Sequence, residues 1–339
     1  MIGITEDNLV QFNRDGFFLA KGLLDPAIDL GPIKAEYRNV LDKAVLDLQT
    51  RGIIKKNYSE LPFEKRISQV LEDSDGELNK YLDITLPQKD INSKTPMHCG
   101  PAVFNLIRNS KLLDAVEQFI GPEIYSNPTQ HVRIKPPAHY LAGTTRVLSE
   151  IDTTVWHQDA GTGTSDADHT NTLTVWVSVT EASIENGCLM VAPKSHRRGL
   201  VLHCHDKRAN YSRQSIPERL IGEVREPIET KPGDVIFLSK YTMHSSLPNL
   251  SENIRWSLDL RYNPVGQPTG RAWFPGFVAR SKSNPGSEMN DPSTWRISWE
   301  RARKSSHALR PVLSSVGPKM TPIVLKVKVF RANFRKTTT

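Results

Sequence analysis

The residues with chemical potential begin at His157-Gln158-Asp159. In an extended strand, residues i and i+2 point to one face. An imidazole and a carboxylate at that spacing are two thirds of a facial metal triad. The tripeptide alone recurs by chance, and a core or surface His beside an unrelated Asp is its bland alternative. A third donor follows 85 residues after Asp159: His244, behind the strand-like run VIFLSKYTM. Two His and one carboxylate with open positions left over suit non-haem Fe(II) oxygen chemistry. Arg255 lies 11 residues further, on a second strand-like run, NIRWSLDL. Its planar fork can hold a carboxylate through two parallel hydrogen bonds. An oxygenase using 2-oxoglutarate needs such an anchor for the distal carboxylate. Ser246, two residues after His244, shares its face in an extended stretch and offers a further hydrogen bond.

The elements that must position these groups are strands. Runs at 129–135, 173–179, 188–192, 234–239 and 254–262 are rich in Val, Ile, Thr or Trp and bounded by turn residues. Asn186-Gly187 and Pro232-Gly233 mark two of the turns. Short strands without intervening helices predict an antiparallel jelly roll. Helices precede them. Thr5 caps a helix start, and residues 5–50 read as mostly helical. Ile33, Tyr37, Val40, Leu41, Ala44, Val45 and Leu48 recur at helical spacing. Further helices are expected at 63–72, at 109–120 before Gly121-Pro122, and at 290–309. An edge strand is expected at 321–329.

The motifs, taken in order, resemble the phytanoyl-CoA dioxygenase family of Fe(II)/2-oxoglutarate oxygenases. They are F-x-x-D-G-F (Phe12 to Phe17), R-I-K-P-P at 133–137 and W-H-Q-D at 156–159. T-V-W-V-S-V at 174–179, E-N-G-C-L at 185–189 and P-K-S-H at 193–196 follow. K-P-G-D-V-I-F at 231–237, H-S-S at 244–246 and N-I-R at 253–255 complete the set. The resemblance covers roughly residues 5–290. It implies a mainly β fold with flanking helices, a double-stranded β-helix. It implies His157, Asp159 and His244 as iron ligands, and Arg255 and Ser246 as 2-oxoglutarate contacts. His131 and Lys135, on the strand ending at Lys135, and Trp176 are implied to border the co-substrate. Fe(II), 2-oxoglutarate and O2 are the implied cofactors, with hydroxylation of a small molecule as the expected reaction. Halogenating relatives replace the carboxylate by Gly or Ala, whereas Asp159 is retained here. Lys194 stands at a turn position where relatives often carry Gly. His98, Gln158 and His169 are the remaining candidates for substrate contact. For His98 and His169 a structural or solvated role is the alternative. Two rivals stay open: a binding protein with a vestigial site, and a cupin-type metalloenzyme without 2-oxoglutarate, for which Arg255 has no role.

Composition agrees with a globular enzyme. The 339 residues are 38% apolar before the 20 glycines are added. One oxygenase domain is expected over 1–290, helical over 1–125 with the jelly-roll core at 126–265. A helical, basic extension follows at 291–339. From Arg296 to Lys336 there are eleven Lys/Arg and one acid, Glu300, a net +10. The remainder of the overall +7 is therefore −3. Such segregation away from the site argues against a nucleic-acid enzyme. Three cysteines give no disulfide framework, and no signal peptide or membrane span is legible, so a cytoplasmic location is expected. A homo-oligomer stays open.

Overall fold

The computed structural model describes residues 3–87, 91–142, 153–205 and 214–308. Among these, seven strands form one antiparallel sheet: β1 (Phe17–Ala20), β2 (Glu123–Ser126), β3 (His131–Lys135), β4 (Leu173–Ser178), β9 (Val235–Ser239), β11 (Arg255–Pro264) and β12 (Phe277–Ser281). The main path runs β1-β9-β4-β11-β2-β12, and β3 pairs with the first half of β11. A smaller sheet faces it, with β5 (Leu189–Val191) between β10 (His244–Ser246) and β8 (Glu226–Ile228). A two-stranded ribbon of β6 (Cys204–His205) and β7 (Gln214–Ser215) stands apart. This is the expected jelly roll.

Strand alternation decides which side chains face which layer. On β11, Trp256, Leu258, Leu260 and Tyr262 point into the larger core, where the sheet meets the helices. Ile33, Tyr37, Leu41, Ala44, Val45 and Leu48 of α2 (Gly31–Thr50) enter that core, as their spacing predicts, and Val40 packs at its margin. Helix α3 (Pro101–Ile107) and helix α4 (Pro292–Ala308) meet through Phe104 and Trp295, with ring centroids 5.7 Å apart. The other face of the sheet meets the small sheet in a second apolar cluster that includes Trp176, Ile236, Leu238, Leu189 and Val191.

Several expectations need correction. Residues 5–50 are mostly helical, as expected, but they also hold a strand that was not expected. Helix α1 (Glu6–Asp15), capped by Thr5, stops at Gly16, whose φ of 85° is left-handed. Phe17–Ala20 then pairs with β9 as an edge strand. Strands β2 and β12 were not expected: turn residues flank both, but four and five residues are too short for their periodicity to stand out. His157 lies outside any regular strand. It bridges to His244 alone, and Asp159 already opens a 3₁₀ turn, Asp159–Thr162. The expected strand at 321–329 lies outside the described residues. Gly233 (φ 91°) does what the Pro-Gly signal requires: a Cβ there would meet the Leu24 carbonyl oxygen at 2.2 Å.

Candidate metal centre

His157, Asp159 and His244 converge on one point, each offering a donor atom within 4.8 Å of the others. The backbone brings them there. His157 and His244 are opposed across an antiparallel bridge, and their rings lie 4.2 Å apart. Each ring is oriented through its other nitrogen. Nδ1 of His157 is 2.9 Å from the Val155 carbonyl oxygen, and Nδ1 of His244 is 3.0 Å from that of Thr242. A carbonyl only accepts, so each Nδ1 carries the proton and each Nε2 keeps its lone pair for a metal. Burial, and then the neighbouring His244, pull His157 down to about 3, so it is neutral at physiological pH. Burial would raise the Asp159 carboxyl, but the Arg261 guanidinium and the two imidazoles hold it well below the usual carboxylate range. His157 and Asp159 are thus in the deprotonated state that a divalent cation requires. Thr174 donates to Asp159 Oδ2 at 2.5 Å, and Arg261 pairs with Oδ1.

The donors open into a cavity whose walls come from the inner faces of β3, β4, β10 and β11, including Arg133, Thr174, Trp176, Ser246 and Arg255. Arg255 is 1% exposed. One of its nitrogens donates to Ser257 Oγ at 2.7 Å, its guanidinium sits 5.6 Å from the Trp176 ring centroid, and its Nε has no hydrogen-bond partner. Burial pulls Arg255 down to about 10, partly offset by Asp259, so it stays charged. Asp259 is not its ion-pair partner: that carboxylate pairs with Arg133. A buried, partnerless guanidinium nitrogen is costly unless a ligand completes it. The residues present therefore fit both a metal and a carboxylate-bearing co-substrate.

The other predicted residues separate into two groups. Trp176 and Ser246 line the cavity. Lys135 supports it, its ammonium donating to Ser246 Oγ at 2.8 Å and to the Leu247 carbonyl oxygen at 2.5 Å. His131 shares the inward face of β3 but pairs with Asp83 at 2.9 Å and does not line the cavity. Gln158 is fully buried, with its amide spent on Gly199, Tyr241 and Val201 main-chain groups. It fastens the turn between the donors and has no polar atom left for substrate. His98 pairs with Glu36 at 2.7 Å and is packed against Tyr37, and His169 is exposed. Sequence reasoning missed Thr174, Arg133 and Arg261. Their signal was the alternation on β11 and β4: Arg255, Ser257, Asp259 and Arg261 on one face, Thr174, Trp176 and Ser178 beside them.

The family model described as phytanoyl-CoA dioxygenase (PhyH) matches residues 12–257. The chain belongs to the phytanoyl-CoA dioxygenase family. With this family and the His-Asp-His cluster goes the class of Fe(II)/2-oxoglutarate-dependent oxygenases, which use O2. Among curated relatives, a methylphosphonate hydroxylase of Gimesia maris is 38% identical over 97 residues, 29% of this chain and 35% of that protein. A phytanoyl-CoA dioxygenase domain-containing protein 1 homolog of Dictyostelium discoideum is 22% identical over 76% of this chain and 91% of its own length. An ectoine dioxygenase of Bordetella parapertussis is 27% identical over 49% of this chain. The chain thus spans about a third of the first relative and 54% of the third. Among solved structures, the non-heme monooxygenase ThoJ shares the fold, with a TM-score of 0.51 at 16% identity, covering 90% of this chain and 98% of ThoJ. Among the described residues, no helix is long and apolar enough to cross a membrane.

Proposed function

We propose that this oxygenase hydroxylates an unactivated C–H bond of a small organic molecule, with succinate and CO2 as co-products. His157 and His244, through Nε2, and Asp159 hold Fe(II). When bound, the metal supplies the redox chemistry that couples 2-oxoglutarate decarboxylation to substrate oxidation. Arg255 grips the distal carboxylate of 2-oxoglutarate through its open fork, and Ser246 adds a hydrogen bond. The Ser246 oxygen already accepts from Lys135 and from the Thr154 amide, so its own proton is free to donate. Trp176 forms the apolar wall beside the guanidinium and keeps water from that end. The relatives named for methylphosphonate and ectoine support a small-molecule substrate. The free cysteines Cys99, Cys188 and Cys204 suit a reducing, cytoplasmic compartment.

The observation that carries this reading is the buried Nε of Arg255, partnerless on a charged side chain in the cavity of the three donors. The test is succinate release by iron-loaded protein given 2-oxoglutarate and O2. Iron-dependent succinate is expected, abolished in His244→Ala and greatly reduced in Arg255→Ala at low 2-oxoglutarate. Iron-independent turnover, or no change in Arg255→Ala, would sink the assignment.

A further inference from the structure

Arg261 stands where two cavities meet. It lines the cavity of the metal donors. It also lines a smaller polar chamber with Asp159, Lys240, Asn127 and several threonines, among them Thr129 and Thr162. The cations here outnumber the acids. Lys240 donates to the main-chain carbonyls of Asp168 at 2.5 Å and Thr170 at 2.7 Å. Arg271, 5% exposed, donates to the carbonyls of Gly270 and Thr162 and lies 5.7 Å from the Trp273 ring centroid. Burial lowers its pKa, and the charge of Arg261 lowers it further, so the two guanidinium groups feel one another. Among the described residues neither Lys240 nor Arg271 forms an ion pair, and Asp166 and Asp168 of the adjoining loop face solvent. Of these three cations only Arg261 is paired with a carboxylate, that of Asp159.

That carboxylate is also a metal donor. Asp159 Oδ1, which accepts from Arg261, lies 3.8 Å from His157 Nε2. A divalent cation at this point competes with Arg261 for the same oxygen, and the two positive charges repel. The carboxylates of 2-oxoglutarate are answered elsewhere, by Arg255 and the metal. Arg261 then keeps the Thr162 hydroxyl at 3.5 Å but has no counter-charge, on a half-buried side chain.

We propose that the substrate carries an oxyanion, of carboxylate or phosphonate type, and that Arg261 binds it once metal displaces the guanidinium from Asp159. Lys240 and the threonine hydroxyls supply further donors, and Arg271 adds positive potential. This rests on the reading of His157, Asp159 and His244 as the metal site. The fork geometry suits bidentate recognition of such a group. Because Arg261 touches a metal donor, the oxidised C–H bond lies close to the anionic group.

The test uses Co(II) as a stand-in metal, whose visible absorption reports its ligands, with 2-oxoglutarate saturating so that Arg255 is filled. Methylphosphonate, and its uncharged dimethyl ester, are titrated at low ionic strength into wild type and Arg261→Gln. Wild type should bind methylphosphonate about tenfold or more tightly than Arg261→Gln, the scale of a charge-assisted hydrogen bond. The ester should bind neither. By linkage, methylphosphonate should raise Co(II) affinity in wild type by the same factor as Co(II) raises its own. Arg261→Gln alone should hold Co(II) as tightly as wild type or more so. Equal methylphosphonate affinity in the two proteins, or weaker Co(II) binding by Arg261→Gln, overturns the proposal: Arg261 would then be a fixed brace for Asp159. Failure of wild type to bind Co(II) at all, or undiminished binding by His244→Ala, strikes the metal assignment beneath it and is read separately.

Discussion

The His157 amide donates to the His244 carbonyl oxygen at 3.0 Å, and the His244 amide returns the bond to His157 at the same distance. The two imidazoles are thus set by one reciprocal backbone pair. Their positions depend on neither side chain, and a metal is not needed to bring them together. Preorganised donors of this kind bind without a folding cost.

Truncating either imidazole should therefore remove iron while leaving the fold. His157→Ala and His244→Ala are expected to lose stoichiometric iron and to melt close to metal-free wild type. Asp159→Ala should behave differently. It also strips Arg261 of its carboxylate, and breaking a buried pair by removing one partner costs on the order of 3 kcal/mol. Iron analysis beside urea unfolding of the metal-free variants checks the ordering. If Asp159→Ala is as stable as the His variants, the Arg261 pair contributes nothing to the fold.

Acid should destabilise the metal-free protein earlier than carboxylate titration alone would. His157 titrates near 3 when folded, against about 6.5 when unfolded. Above about pH 6.5 it is neutral in both states and adds no pH dependence. Between about 6.5 and 3 only the unfolded chain takes the proton, so stability falls as pH falls, with a slope approaching about 1.4 kcal/mol per unit. Asp159, depressed when folded, adds a loss that starts only as pH drops through the ordinary carboxylate range. Unfolding curves at pH 7.5, 6.5 and 5.5 for wild type and His157→Asn isolate the His157 share. Parallel pH profiles for the two proteins would refute it.

That His157, Asp159, His244 and Arg255 gather at one cavity was legible because their chemistry restricts residue type and spacing, and the turn signals around them fix the strand ends. The jelly roll was legible for the same reason. What was not legible is who partners whom across strands. Thr174 meets Asp159 because Thr174 pairs with Arg261 in the β4–β11 register, which no local pattern reveals. Gln158 reads as a site residue by position, yet tertiary packing turns it inward onto three backbone groups. His131 was placed on the correct face of β3, but Asp83, 48 residues away, captures it.

Lys194 occupies the left-handed region at φ 64°, a conformation that favours glycine, and its amide donates to the Asp15 carbonyl oxygen at 2.8 Å. Lys194→Gly keeps that bond and relieves the Cβ strain, offset in part by the greater freedom of glycine in the unfolded chain. The net gain should be up to about 1 kcal/mol. Thermal melting should rise by about 1 °C with succinate release unchanged. A drop in melting temperature would show that the exposed lysine side chain contributes more than its backbone strain costs.

If Arg255 holds 2-oxoglutarate as proposed, its variants separate co-substrate binding from metal binding. Asp259, four residues along on the same face of β11, is taken by Arg133, and Ser257 accepts from only one nitrogen of Arg255. Arg255→Ala leaves the distal carboxylate of 2-oxoglutarate without its partner in a dry pocket. Loss of such a charge-assisted contact costs on the order of 2–5 kcal/mol. That is roughly 30-fold to several thousand-fold in the apparent 2-oxoglutarate constant, at about 1.4 kcal/mol per tenfold. Arg255→Lys keeps the charge but loses the fork, so its constant should rise less. Iron content should stay near wild type in both, since Arg255 is not among the donors. Removing a buried guanidinium with an unsatisfied Nε should also leave the co-substrate-free protein as stable as wild type, or more stable. If Arg255 instead supports the sheet, both variants will melt lower while the 2-oxoglutarate constant of the surviving folded enzyme holds. Titrating 2-oxoglutarate against each variant, beside a melting curve, separates the two roles.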